Sequence, residues 1–337
     1  MKRSTNAFTQ APISKCMLAK FYPATNVELP KLHDVIDVVG IVTHTPADLD
    51  AASDQDTEGS AASFPPPSVL PRLQVLWHRA LEPAARIPQT PGVAANPLDV
   101  RKLLHATLTA EAFAGDALAA EYFLLQLHSR VYARAGDRPL GKLSLNFTRW
   151  ANTDAAQGAA AVLACASGAC AYATGAKLTD LAKPDAPALA PKKDYETERL
   201  AQGGLQLPAS TVFVVDETDV AEGLQFGDTG VKNLSALHTA AASANLAIDF
   251  TYYETQHALD IAVVAVSKGA SLLRDAFDAV VPVEADANAA QAAAAVVAAA
   301  APGAANAVRA AGSARARLAT PHSQPRRRRR RRSRRRW

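Results

Sequence analysis

The stretch Thr211–Thr218, T-V-F-V-V-D-E-T, decides how the rest of the chain is read. Four consecutive apolar β-formers with no polar alternate read as a strand covered on both faces, the habit of a parallel sheet inside an α/β domain. The two carboxylates that end it, Asp216 and Glu217, are what a nucleotide-hydrolysing α/β domain sets beside its magnesium: an aspartate to hold the ion and a glutamate to activate water. Such an aspartate works only against phosphates already cradled by a glycine-rich loop and its lysine, G-x-x-x-x-G-K-[ST]. No such string occurs in the chain. After the strand-like Lys142–Phe147, where the loop belongs, stands T-R-W-A-N-T-D-A. Asp216 and Glu217 are therefore read as a Walker-B-like remnant that caps the sheet edge or touches a partner. A divergent ATPase using the pair with an unconventional phosphate loop is the competing reading.

A second unalternated run, Ile261–Val266 (I-A-V-V-A-V), ends at Ser267. Open α/β sheets bind ligands at the carboxyl ends of their strands, so Asp216, Glu217 and Ser267 are expected to cluster there. Ser267 falls where related ATPases sense the γ-phosphate and is read as a sensor-like remnant. Between the two runs the sequence predicts a helix near Val231–Ala244 and one hairpin arm in I-D-F-T-Y-Y-E-T. Upstream, Pro97–Thr109, Asp116–Arg134 and Asp154–Ala166 read as helices, the last in the place of a phosphate-loop helix. In the second, Leu118, Tyr122 and Leu125 share one face while Ala120, Leu124, Leu127 and Val131 fill the next. That pattern predicts a helix apolar most of the way round and largely buried.

The first part of the chain is β-like. Cys16–Thr45 carries strand patterns with Gly40 where a strand would bulge, and Arg72–His78 is expected to pair with it. Residues 46–68 between them are acidic, Ser/Ala-rich and proline-ended, the composition of a disordered loop. Such strands suit a partial OB-like barrel. Glu28, Asp34 and Asp37 bring the wrong charge for reading a nucleic-acid strand, so a partner-binding barrel is expected.

Composition narrows the function. Ten arginines, Arg326, Arg327, Arg328, Arg329, Arg330, Arg331, Arg332, Arg334, Arg335 and Arg336, sit in one run near the end. Removing them from the net charge of +4 leaves −6, so the remainder has no general affinity for polyanions. The run itself is read as a nuclear localisation signal or phosphate-binding arm, or as the low-complexity product of a GC-rich stretch. A chromatin-binding protein acting through this arm is a third reading. Three cysteines without a C-x-x-C and eight scattered histidines nominate neither disulfides, nor a zinc site, nor a catalytic nucleophile. The start lacks the apolar core of a secretory signal, and the longest greasy run, Ala292–Ala301, is too short to span a bilayer. An intracellular protein off the membrane, with no cofactor, is expected. The alanine-rich section after Glu284 makes no core, and the chain from residue 286 onward is expected to be a disordered tail.

Several long strings carry a family resemblance. They are Gly115–Arg134 (G-D-A-L-A-A-E-Y-F-L-L-Q-L-H-S-R-V-Y-A-R), Arg138–Phe147 (R-P-L-G-K-L-S-L-N-F), Lys193–Leu200 (K-D-Y-E-T-E-R-L), Leu205–Thr218, Gly230–Leu237 (G-V-K-N-L-S-A-L) and Asp249–Tyr253 (D-F-T-Y-Y). In this order they resemble the minichromosome maintenance (MCM) complex-binding protein family, and the resemblance extends loosely from Cys16 to about Val283. It implies an α/β fold built like the MCM subunits themselves. A partial OB-like domain at 1–95 would precede a degenerate AAA+-like domain at 96–285, with the Ala/Arg tail at 286–337 in place of the family's helical C-terminal region. It further implies a non-enzymatic nuclear adaptor. Such a protein would bind MCM subunits, meet chromatin only through them or weakly through the tail, and regulate helicase assembly and unloading, with a role in sister-chromatid cohesion.

Overall fold

The computed structural model describes residues 17–22, 29–43, 70–81, 97–150, 155–196, 199–221 and 223–299. The expected loop at 46–68 falls outside them, as does the arginine run. The first group of elements is a small sheet of β1 (Leu18–Lys20), β2 (Ile36–Thr43) and β3 (Arg72–Ala80), in the order β1-β3-β2. The pairing expected between the Cys16–Thr45 and Arg72–His78 segments is present, parallel for β1 and antiparallel for β2. The register slips at Gly40, as its glycine suggested: Val39 faces Trp77 and Gly40 faces Val75, leaving Leu76 as the extra residue of a bulge. A Cβ at Gly40 would stand 2.4 Å from the Gln74 carbonyl oxygen, so only glycine lets the strands close there. Among the described residues the three strands do not form a closed barrel.

The body follows. Helix α1 (Pro97–Thr107) runs into a π-helical segment, Leu108–Ala112, and α2 (Ala117–His128) begins on an Asp116 cap that accepts from the Leu118 and Ala119 amides. A hairpin of β4 (Ala133–Ala135) and β5 (Arg138–Leu140) comes next, then β6 (Leu145–Thr148), α3 (Ala155–Ala169), β7 (Ala173–Lys177) and the short α4 (Leu178–Leu181). β8 (Lys192–Asp194) and β9 (Arg199–Ala201) precede β10 (Thr211–Asp216). Then come α5 (Asp228–Ser243), β11 (Asn245–Asp249), β12 (Glu254–Ala258), β13 (Ile261–Val266), β14 (Ala279–Pro282) and α6 (Ala287–Ala299).

Five of these strands make one all-parallel sheet in the order β14-β6-β13-β10-β7. Its two central runs explain their unalternated sequence. Val212, Val214, Val264 and Val266 point into a core under α2 and α3, while Phe213, Val215, Ile261, Val263 and Ala265 point into a second core under α5. The chain crosses the sheet one way from β6 to β7 and the other way from β10 to β13. Reversing direction moves the covering helix to the opposite face, as a constant crossover hand requires. The stretch I-D-F-T-Y-Y-E-T, expected as one arm of a hairpin, instead supplies the turn and two residues of each strand of the antiparallel β11–β12 hairpin, part of a four-stranded sheet in the order β12-β11-β8-β9.

Three further expectations need correction. The helix read as Asp116–Arg134 ends at His128, and the remainder folds back as the β4–β5 hairpin. Its Leu118 and Leu125 are 64% and 52% exposed, so of the face they share only Tyr122 packs against the core, and that partly. Residues 287–299, expected to start the disordered tail, form α6. Alanine's helix propensity and an Asp286 carboxylate that accepts from the Asn288 and Ala289 amides suffice, although the helix buries none of its residues.

Candidate functional site

The sheet sets its carboxyl ends side by side. β6 sends its chain to the face under α3, and its neighbour β13 sends its chain toward β14, skipping β6. Between them lies the crevice at which open α/β sheets take ligands. The structure brings Asp216, Glu217 and Ser267 to this edge. Asp216 ends β10 opposite Val266, the Glu217 amide donates to the Val266 carbonyl at 2.9 Å, and the Ser267 amide donates to the Phe147 carbonyl at 2.9 Å.

All three side chains are buried and turned inward. Asp216 Oδ1 accepts from the Thr218 amide (3.0 Å) and the Thr218 hydroxyl (2.6 Å), an Asx-type turn that ends the strand. The Glu217 carboxylate accepts from the Ser271 hydroxyl at 2.8 Å and from the Leu272 amide at 3.2 Å. Burial pushes the Glu217 carboxyl above its ordinary range; the Ser271 and Leu272 hydrogen bonds oppose the shift and the Asp216 charge adds to it. The Ser267 hydroxyl lies 3.1 Å from Asn146 Oδ1 and 3.0 Å from the Gly269 carbonyl, and its one proton serves either acceptor.

Where the phosphate loop would rise, the chain turns through Arg149 in a left-handed conformation (φ 62°) and then buries Trp150. The indole lies against α3 so closely that a Cβ on Gly158 would meet its Nε1 at 2.1 Å. An aromatic side chain is thus packed under the helix, tilted against Phe113 at 5.8 Å between centroids. At the far end of the edge, Lys177 donates to Asp219 at 2.8 Å. That bond raises the lysine's pKa and lowers the aspartate's. The arrangement can cap and order a sheet edge. Among the described residues no three His, Cys, Asp or Glu side chains gather as a metal set. Burial drives the Cys165 thiol up to about 12, with Glu111 adding to the shift, so at neutral pH it stays protonated.

Sequence reasoning missed the partners. Asn146 is buried on β6 with its Nδ2 unsatisfied, and Ser271 holds Glu217 from 54 residues away. Thr218 had a local signal, a hydroxyl two residues beyond an aspartate. Asn146 had a weaker one, the polar alternation Ser144-x-Asn146. The arginine run, Arg326 to Arg336, lies outside the described residues.

Comparison of the sequence with known proteins gives the chain a family. A family model described as mini-chromosome maintenance replisome factor matches residues 2–313. Three relatives, each a mini-chromosome maintenance complex-binding protein, are similar to most of the chain. The one from Salmo salar is 31% identical over 75% of this chain and 43% of its own length, and that from Drosophila melanogaster 33% over 77% and 44%. The one from Arabidopsis thaliana is 29% identical over 79% and 46%. The chain thus spans less than half the length of the curated relatives it matches. With the model covering nearly the whole sequence, the chain belongs to the mini-chromosome maintenance replisome factor family.

Proposed function

We propose that this chain is a non-enzymatic nuclear adaptor that binds the MCM complex and regulates its assembly and its unloading from chromatin during DNA replication, with a part in sister-chromatid cohesion. The observation that carries the reading is the name shared by relatives from a fish, an insect and a plant, each similar over three quarters or more of this chain. Chromatin is met through the MCM complex or weakly through the arginine run.

The body, residues 96–285, is proposed as a degenerate AAA+-like domain. Its parallel order supports this: β13, ending in the sensor-like Ser267, lies between β6, which leads into the would-be phosphate loop, and β10, which ends in Asp216 and Glu217. All three features face one edge, as a nucleotide between them would require. The inward hydrogen bonds of both carboxylates and the buried Trp150 support the loss of that use. The bulged sheet of residues 1–95 is proposed as the partial OB-like domain, and the residues after α6 as the tail. The mechanism is mimicry. A subunit-like body that does not bind ATP occupies a protomer interface without joining the hydrolysis cycle, and so replaces a nucleotide-stapled contact by an unstapled one.

The test mixes the purified full chain with purified MCM complex and follows both by size-exclusion chromatography. Co-elution with loss of the hexamer peak is expected. A ring that stays closed while saturated with the chain sinks mimicry, and separate elution sinks the adaptor reading itself.

A further inference from the structure

The four-stranded sheet ends on one side at β12, and the hairpin fixes which backbone groups of that strand turn outward. At its tip the Phe250 amide donates to the Tyr253 carbonyl at 3.0 Å, and at its base the Leu259 amide donates to the Ala244 carbonyl at 2.8 Å. Bonded and non-bonded pairs alternate along an antiparallel ladder. Thr255 and His257 therefore bond to Ile248 and Leu246, while the amides and carbonyls of Glu254, Gln256 and Ala258 point away from β11. β11 keeps the same parity: the Asp249 amide, opposite Glu254, donates the other way, to the Pro191 carbonyl beside β8 at 3.0 Å. Among the described residues no hydrogen bond reaches the outward row of β12. Glu254, Gln256 and Ala258 are exposed, and so are Tyr252 and Tyr253 at the tip.

An open edge invites a further strand, and proteins blunt such edges with proline, bulges, brevity or cover. The other edges of the two larger sheets show these devices. β14 ends in Pro282, and β9 is three residues long. The Val212 amide donates to the Tyr172 carbonyl just before β7, which by alternation turns the backbone of Gly175 outward, and Gly175 is buried. β12 runs five residues in unbroken register with β11 and contains no proline, glycine or lysine.

We propose that β12 pairs with β12 of a second copy of this chain, antiparallel about a two-fold axis through Gln256, joining the two four-stranded sheets into one. The edge is complementary to itself in this register. Glu254 meets Ala258 of the second copy, Thr255 meets His257, and Gln256 meets Gln256. Each outward residue thus faces an outward residue, and each free N–H finds a C=O. The strand's one carboxylate has no like charge opposite it. The two Glu254 side chains stand four positions apart along the strands, about 14 Å at about 3.4 Å per residue, beyond the Debye length of about 8 Å at physiological salt. An edge with a single carboxylate gives a strongly charged foreign strand little to select, which favours the second copy. This pairing is independent of the adaptor reading.

Sedimentation velocity of the purified full chain tests it between about 1 and about 200 µM, where small interfaces dissociate, in salt high enough to screen the arginine run. A monomer–dimer equilibrium is expected, with the amides of Glu254, Gln256 and Ala258 gaining protection from hydrogen exchange as the dimer forms. Gln256→Lys and Gln256→Glu each set like charges face to face at the two-fold axis and should weaken the dimer about 10-fold or more. Mixed together, the two variants should pair with each other at least as tightly as wild type does. Val280→Lys, on the exposed side of β14, should leave the dimer unchanged. Because Gln256 is exposed, the circular dichroism and Tm of its variants should match wild type. If a variant failed to fold, protection of the wild-type β12 amides with rising concentration would still decide the matter. A wild type that stays monomeric overturns the pairing, as does a dimer that leaves β12 unprotected or survives Gln256→Lys. Protection of β12 only when purified MCM complex is added to a monomeric chain overturns it in favour of a foreign strand.

Discussion

The two β regions of this protein manage their apolar residues in opposite ways. The parallel sheet of the body sends successive side chains of β10 and β13 into two separate cores, and every residue of both strands is buried. The β1–β3 sheet buries one hydrophobic residue, Val75, and exposes Met17, Tyr22, Val39, Ile41, Val42, Leu76 and Trp77. Body strands are stabilised by helices their own chain supplies, whereas among the described residues no helix packs on the small sheet. The contrast separates strands that the described residues cover on both faces from strands that they do not.

The strongest way to break the contrast is at the body's aromatic centre. Phe147 is fully buried between Phe113 and Phe123, with centroids 4.7 and 6.2 Å away. Phe147→Ala is expected to cost about 3–5 kcal/mol, read by denaturant unfolding; a cost under about 1 kcal/mol would mean that this core is not the source of stability. Gly158→Ala comes next. Its Cβ must displace the Trp150 indole, which should cost about 1–3 kcal/mol. An unchanged Tm would show that the indole has room to move.

A smaller, pH-dependent effect is expected at the carboxyl edge. Because the folded pKa of Glu217 is raised, the stability linked to its proton is fully present below the unfolded value and is lost as pH rises through the folded value. Glu217→Gln escapes that loss, so its stability relative to wild type should climb as pH increases from the carboxylate range toward neutrality. Melting curves between about pH 4 and pH 8 test it, and a difference that stays flat would contradict the burial of a charged carboxylate. The smallest effect belongs to the sheet. Leu76→Ser should alter stability by no more than about 0.5 kcal/mol, and a loss comparable to that of Phe147→Ala would erase the contrast.

The body's central strands were legible because covering both faces removes the polar alternate, and that signature is local. The ends of those strands therefore located Asp216, Glu217 and Ser267 correctly along one edge. Gly40 announced its bulge because no other residue fits beneath the Gln74 carbonyl. The exposure of Leu118 and Leu125 was not legible, since helical periodicity says which residues share a face and not whether anything covers it. The end of α2 was missed for a related reason. Val131 continued the apolar pattern, yet Arg134 is drawn away to the end of α5, where its guanidinium donates to the Ala244 carbonyl at 2.6 Å and the Asn245 side chain at 2.9 Å. The grip of Ser271 on Glu217 spans 54 residues and leaves no local trace.

The strand order has a temporal side. β6 is flanked by β13 and β14, whose pairing residues Val264 and Ala279 lie roughly 120 to 130 positions after Leu145. At about 5–20 residues per second of synthesis, β6 leaves the ribosome and waits several seconds or more with both edges bare, while β7 and β10 have already been made but do not pair with it. The newborn chain thus carries the strand L-N-F-T with no neighbour while about a third of its length is made. Chaperone demand should concentrate there, and a ribosome stalled before Val264 would hold a chain unable to begin its central sheet around β6.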